Sequence, residues 1–98
     1  MAALAGFDWD DGNSTKNWES HQVTQAEAEE VFFNRPVFLV DARPTERERR
    51  YNVLGRTNHD RLLSVIFTVR RGLARIISAR PMSRKERNGY DQVPPEAP

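Results

Sequence analysis

Apolar and polar residues in the second half of the chain follow each other in a pattern that predicts three consecutive β-strands. The segments are rich in β-branched and aromatic residues and cover Tyr51 to Arg56, Arg61 to Val69 and Leu73 to Arg80. Their connectors, around Thr57 to Asp60 and at Arg71 and Gly72, are short enough for antiparallel hairpins. We therefore expect these strands to pair as an antiparallel sheet.

Two further strands are expected earlier in the chain. Val37 to Asp41 is a short apolar run that joins the central antiparallel sheet, and Phe7 to Asp10 alternates in the manner of an edge strand. The segment ARPTERERR, which precedes Tyr51, is a connector too polar to be buried. The large apolar residues of the sheet are expected to divide between its two faces; they are Val65, Phe67, Ile66, Ile76 and Ile77.

Helix-start signals predict three helices. The first has Asp10 or Asp11 as its N-cap and runs through Lys16 and Trp18 to about Ser20. The other two begin at capping boxes, in which a Ser or Thr side chain and a Glu three residues later satisfy each other's backbone amides. These boxes are Thr24 with Glu27, followed by the apolar face of Ala28, Val31 and Phe32 and ended by Asn34 to Pro36, and Ser83 with Glu86, followed by a helix to about Tyr90.

The predicted elements add up to an α+β fold in one domain. The order is a short strand, two helices, an antiparallel sheet and a terminal helix, without internal repeats. The 98 residues suffice for one modest core, expected over about residues 7–91, with residues 92–98 as a disordered tail.

Composition excludes several classes of site. The chain has no cysteine, so a disulfide or a thiolate zinc site is impossible, and its two separated histidines indicate no metal site. No apolar run approaches membrane length, and the first ten residues lack the basic region and apolar stretch of a signal peptide. We expect a cytoplasmic protein that uses no cofactor.

The net charge of +1 hides a division along the chain. Residues 1–46 carry a net charge of −6, residues 47–87 carry +9, and the tail carries −2. Local charge decides electrostatic partners more than the total does, because screening limits its range to about 8–10 Å. The basic half is therefore suited to RNA, DNA or an acidic protein, although a solvated arginine-rich face that pairs with the acidic half is the simplest interpretation of charge alone.

The strongest motif is the strand RIISAR, which runs into a basic helix that begins RKER and ends in a tyrosine. Together with FDWD, Asn17, HQV, RRY, Gly55 and RLLSVIFTVR, it resembles the BrnT toxin family over Phe7 to Tyr90. The resemblance implies a RelE-like ribonuclease that arrests translation as the toxin of a bacterial type II toxin–antitoxin system. It also implies neutralisation by a BrnA-like antitoxin with a ribbon-helix-helix domain, through which the complex contacts operator DNA.

Three positions depart from the family pattern. Asn13 and Ser20 stand where the family commonly has lysine, and Gln22 stands where it often has glycine. Two positive charges are thus missing, which predicts weaker phosphate affinity or turnover. The alternative function is an inactive binding module that serves as co-repressor with a DNA-binding antitoxin.

Cleavage of RNA through its 2′-hydroxyl needs a base, a group that stabilises the phosphorane dianion, and an acid for the leaving 5′ oxygen. Arginine suits the second role and cannot readily be the base, because its pKa exceeds about 12. Arg80 at the strand exit is the first candidate, largely through the resemblance, followed by Arg50 and Arg75. Arg75 could instead form an ion pair with Glu48 or Asp60.

Proton-transfer candidates are few. Glu48 is a candidate base, or a group that orients Arg50. His21 has a suitable intrinsic pKa, but a histidine at a helix end is more often a cap or packing residue.

The remaining candidates concern RNA binding. Tyr51 could stack on a base or pack in the sheet, and Trp9 of the FDWD motif could contact substrate or anchor the core. Arg84 and Arg87 of the basic helix are expected to contact phosphates.

Overall fold

The computed structural model describes residues 5–40 and 49–93. It contains five strands and three helices in this part of the chain. In chain order they are β1 (Gly6–Phe7), α1 (Lys16–His21), α2 (Gln25–Glu30), β2 (Val37–Val40), β3 (Tyr51–Arg56), β4 (Leu62–Arg70), β5 (Leu73–Pro81) and α3 (Arg84–Asp91).

The strands form one mixed sheet in the order β1-β5-β4-β3-β2. The pairs β2–β3, β3–β4 and β4–β5 are antiparallel, as the short connectors predict. β1 departs from the prediction: it covers Gly6–Phe7 and pairs in parallel with β5, so the sheet is not purely antiparallel. The α+β class is confirmed.

Alternation along the strands gives the sheet two differently covered faces. On the inner face, buried residues of β3, β4 and β5 pack against Ala28 of α2 and against Val31 and Phe32, which follow α2 directly. On the outer face, α3 covers a smaller cluster of Leu54, Met82 and Tyr90. Of the five apolar residues expected to divide between the faces, Val65, Phe67 and Ile76 are buried in the inner cluster, whereas Ile66 and Ile77 are half-buried.

A register shift explains the position of Ile77. Ile66 pairs with Ser78 and Phe67 pairs with Ile76, so Ile77 has no residue opposite it. Because of this bulge, Ile76 and Ala79 both lie on the inner face, and Arg80 lies on the outer face.

Two buried asparagines form hydrogen bonds with the part of β5 that lies beyond its pairing with β1. Asn13 Nδ2 donates to the carbonyls of Ile76 (2.9 Å) and Asp8 (3.0 Å), and the Ala79 amide donates to Asn17 Oδ1 (2.9 Å). Their side-chain amides thus satisfy backbone groups that a longer edge strand would otherwise pair.

This arrangement corrects the predicted start of the first helix. The N-cap of α1 is Thr15, not Asp10 or Asp11. Asp10 instead stabilises the preceding turn, because its Oδ1 accepts from the Gly12 amide (2.8 Å) and its carbonyl accepts from the Asn13 and Ser14 amides. The turn is needed to bring Asn13 against β5 before the helix begins.

Both predicted capping boxes are confirmed. Thr24 and Glu27 cap α2, and Ser83 and Glu86 cap α3, each with the two reciprocal hydrogen bonds. Gly55 in β3 allows the end of α2 to approach the sheet, since a Cβ there would lie 2.6 Å from the Val31 carbonyl oxygen. No helix of the described ranges is long and apolar enough to cross a membrane.

Candidate active site on the outer face of the sheet

Arg80 lies on the outer face, one residue before the end of β5. The pairing registers place Val37, Leu54, Ser64 and Arg80 in one row across four strands. Because α3 begins only four residues after Arg80, its first turn lies next to this row. The site is therefore built by a strand end and a helix start that are adjacent in sequence.

Glu86 holds the Arg80 guanidinium in a two-pronged ion pair. Arg80 Nη1 donates to Glu86 Oε1 at 2.7 Å, and Nη2 donates to Oε2 at 3.0 Å. Glu86 is also the capping-box residue of α3, since its Oε1 accepts from the Ser83 amide at 2.9 Å. The same carboxylate consequently fixes both the helix start and the arginine.

The ion pair keeps both partners ionised. The hydrogen bonds from Arg80 lower the pKa of Glu86 to about 2, although burial opposes the shift. The same hydrogen bonds raise the pKa of Arg80. A carboxylate this acidic is a poor proton acceptor at neutral pH, so Glu86 suits orientation of Arg80 better than acid–base chemistry.

Arg80 retains donors for a ligand. Besides its bonds to Glu86, Nη1 donates to the Pro81 carbonyl at 3.1 Å. A guanidinium has five N–H groups, and one on Nη2 and the one on Nε have no hydrogen-bond partner among residues 5–40 and 49–93. The side chain is 39 % exposed. These two N–H groups point along one edge of the fork, a geometry that suits two oxygens of a phosphate.

Ser64 and Asn52 extend the polar contacts toward the middle of the outer face. Ser64 Oγ lies 3.3 Å from Glu86 Oε2 and 3.0 Å from Asn52 Oδ1. Sequence reasoning missed both residues. The signal in the sequence was that Ser64 interrupts the apolar run of β4. In the structure this residue is 1 % exposed, and a buried hydroxyl needs a hydrogen-bond partner.

Arg75 lies on the same face but is engaged elsewhere. Its guanidinium donates to both carboxylate oxygens of Asp10, at 2.9 and 3.0 Å, and lies 3.6 Å from Asp8. These bonds lower the pKa of Asp10 and raise that of Arg75. The expected ion pair of Arg75 with Asp60 is therefore wrong, because Asp60 pairs with Arg56 instead. The expected alternative, Glu48, lies outside the described residues. Arg75 ties β1 and the following turn to the sheet.

The other basic candidates remain open to ligands. Arg50 is half-buried just before β3, and Arg84 and Arg87 are exposed on α3. None of the three forms an ion pair with a carboxylate of residues 5–40 or 49–93. Glu48, the candidate base, lies outside the described residues.

Three further candidates have structural contacts of their own. Tyr51 stacks on Phe67 at 5.5 Å on the inner face, and Trp9 Nε1 donates to Glu29 Oε2 at 2.7 Å. His21 is the exposed last residue of α1, and its carbonyl accepts from Arg61. The structure thus gives each of them a packing or helix-end position.

The three departures from the family pattern have different structural settings. Asn13 is buried and hydrogen-bonded, and Ser20 is exposed on α1. Gln22 follows α1 in the left-handed conformation, with φ of 54°. Glycine adopts this conformation without the steric cost that Gln22 carries.

No group of three or more His, Cys, Asp or Glu side chains that could hold a metal ion occurs in the described part of the chain.

Comparison with known proteins identifies a family. The model of the family described as ribonuclease toxin, BrnT, of type II toxin-antitoxin system matches residues 9–86, which is most of the chain. The search of curated proteins finds no match.

Proposed function

We propose that this chain, which belongs to the BrnT family of ribonuclease toxins of type II toxin–antitoxin systems, is itself a metal-independent endoribonuclease. It has a RelE-like fold, acts in the cytoplasm and arrests translation by cleaving RNA. A BrnA-type antitoxin with a ribbon-helix-helix domain neutralises it and links it to operator DNA. Family membership supports the class of activity, and the outer-face geometry supports the residue roles.

The observation that carries the proposal is the fixed orientation of Arg80. The N–H of Nε and the second N–H of Nη2 share one edge of the guanidinium, while Glu86 binds the adjacent Nη1–Nη2 edge. When the 2′-oxygen attacks phosphorus, the non-bridging oxygens gain charge, and a donor that is already oriented stabilises that charge without reorganisation. Arg80 is therefore the group that stabilises the phosphorane.

Glu86 is a positioning residue in this mechanism. It orients the guanidinium, and it also removes the net positive charge of the site, so Arg80 contributes directed hydrogen bonds more than long-range attraction. Attraction of the RNA backbone is then assigned to Arg50, Arg84 and Arg87, which pair with no carboxylate of the described ranges.

Proton transfer is assigned to Glu48 as the base that takes the 2′-hydroxyl proton. A carboxylate serves here only if its pKa is raised toward neutrality, because a base works best when its pKa lies near the working pH. His21 is the second candidate for acid–base chemistry by intrinsic pKa alone. Trp9, Tyr51 and Arg75 have sufficient structural partners and receive no role in the reaction.

The second candidate function is a binding module without catalysis that acts as co-repressor with its antitoxin. The specific observation in its favour is that Glu86 already neutralises Arg80. In addition, Asn13 and Ser20 stand at positions where the family commonly has lysine. A site with so little net charge is suited to binding a protein as well as to cleaving RNA.

One experiment separates the two functions. Protein freed of antitoxin is incubated with a labelled single-stranded RNA in the presence of EDTA, and wild type is compared with Arg80→Ala. Arg71→Ala is the matched control, because Arg71 is an exposed arginine in the β4–β5 turn. We expect cleavage by wild type and by the control only. Absence of cleavage by folded wild type, with antitoxin binding intact, favours the co-repressor.

A further inference from the structure

A groove between β2 and α3 has buried apolar side chains at its base and exposed ones, Leu39 and Val93, along its sides. It has a volume of about 510 Å³, and its apolar lining comprises Val37, Leu39, Leu54, Tyr90 and Val93. Leu39 is 45 % exposed and Val93 is 38 % exposed. Covering such side chains with a partner is favourable by about 25 cal/mol per Å² of apolar surface.

Gly89 leaves open space on the side of α3 that lines the groove. A glycine inside a helix costs about 1 kcal/mol relative to alanine. Gly89 has no positive φ that would require glycine, and a Cβ at this position would meet no heavy atom within 4 Å. Packing within residues 5–40 and 49–93 therefore gives no reason for the glycine, and the space beside it belongs to the groove.

The charges around the groove favour an acidic occupant. Lys85 lines the groove, and the Arg35 guanidinium lies 5.4 Å from the ring centre of Tyr90. Neither cation forms an ion pair with a carboxylate of residues 5–40 or 49–93. The one carboxylate in the lining, Glu86, is already held by Arg80. Cations of this kind at the rim of an apolar groove attract carboxylates and select for them.

The adjacent strand can also pair with an incoming chain. β2 is the last strand of the sheet, and no strand in the described ranges pairs with its outer side. Its backbone N–H and C=O groups on that side are arranged to accept an extended segment, the recognition mode known as β-augmentation. RNA fits this surface less well, because the floor of the groove is apolar.

We propose that the groove between β2 and α3 binds an extended segment of the antitoxin, in which apolar side chains are flanked by carboxylates. The inference rests on the proposed function for the identity of the partner. Because Ser83 and Glu86 also line the groove, the bound segment lies against the first turn of α3. The bound antitoxin segment then lies next to Glu86, the carboxylate that orients Arg80.

The test fills the groove from the helix side. Gly89→Leu places a side chain in the open space and improves helix propensity, so the fold is retained. Asn88→Leu is the matched control, because Asn88 is an exposed neighbour on α3 that does not line the groove. Affinity for the co-expressed antitoxin is measured by calorimetry, and RNA cleavage is measured on the same antitoxin-free preparations.

We expect Gly89→Leu to weaken antitoxin binding by about 10- to 100-fold, with RNA cleavage and the control unchanged. Lys85→Glu should weaken binding through charge, whereas Lys16→Glu, at the only other lysine, should not. Wild-type affinity of Gly89→Leu overturns the proposal, as does loss of RNA cleavage with antitoxin affinity intact, which assigns the groove to RNA. Failure of wild type to cleave RNA contradicts the proposed function alone, because the binding series remains readable.

Discussion

Glu86 Oε1 accepts hydrogen bonds from both Arg80 Nη1 and the Ser83 amide, at 2.7 and 2.9 Å. One carboxylate oxygen therefore couples the end of β5 to the start of α3. Substitutions of Glu86 and of Ser83 can therefore distinguish the orientation of Arg80 from the capping of α3.

Glu86→Gln should affect turnover and binding in opposite directions. Glutamine is compatible with a capping box, so α3 still begins at the same residue. It no longer neutralises Arg80, so RNA affinity rises while the loss of the two-pronged pair lowers turnover. Steady-state kinetics should show a lower kcat together with a lower KM. Ser83→Ala is the control, because it removes a cap worth about 1 kcal/mol and leaves the ion pair; equal kinetic effects of the two variants contradict the positioning role.

The same ion pair predicts loss of stability in acid. The pKa of Glu86 is about 2 in the folded chain and is lowered from 4.5, so the pair stabilises the fold fully above pH 4.5 and progressively less toward pH 2. Allowing for solvent screening, its contribution at neutral pH is about 1–2 kcal/mol. Urea unfolding of wild type and Glu86→Gln between pH 7 and about pH 2 should show a stability difference that shrinks as the pH falls. A constant difference across this range contradicts the assignment.

Gln22→Gly should stabilise the chain by about 0.5–1 kcal/mol. Gln22 has a φ of 54° after α1, and glycine relieves the contact between Cβ and the backbone. Gln22→Ala retains the Cβ and should leave the melting temperature nearly unchanged. Thermal unfolding of the two variants provides the comparison, and a destabilised glycine variant shows that the Gln22 side chain makes a contribution of its own.

Asn17→Ala should destabilise the chain by about 1–3 kcal/mol, because it leaves the buried Ala79 amide without an acceptor. Asn88→Ala, at an exposed position on α3, should change stability by less than about 0.5 kcal/mol. Chemical denaturation measures both. If the two variants unfold alike, water replaces the side chain at the edge of β5.

Local patterns predicted the parts of this fold that depend on neighbouring residues. The capping boxes at Thr24 and Ser83 are spacing rules, and the β3–β4 and β4–β5 hairpins follow from short connectors; all are present. The start of α1 was predicted wrongly because Asp10 is an equally good cap for a turn. Asp10 stabilises a turn because Asn13 hydrogen-bonds Ile76, a contact between residues 63 positions apart.

In the candidate site, too, local features were predicted and long-range contacts were missed. Arg80 was predicted from its place at a strand exit and from the family resemblance. Its partner Glu86 was recognised as a cap, yet its second role needs the geometry of the strand end and the helix together. The partner of Arg75 was missed for a similar reason, because Asp10 reaches it only through the parallel pairing of β1 with β5. Long-range pairings of this kind leave no periodic signal in the sequence.

The central claim is that Arg80 stabilises charge that develops during RNA cleavage. The most direct measurement is single-turnover cleavage of RNA by antitoxin-free protein in EDTA, with RNA affinity measured in parallel, for wild type, Arg80→Ala and Arg80→Lys. We expect Arg80→Ala to lower the cleavage rate by about 10²- to 10³-fold with a much smaller change in affinity, and Arg80→Lys to recover little, because an ammonium lacks the planar fork. A folded Arg80→Ala variant that cleaves RNA at the wild-type rate contradicts the claim.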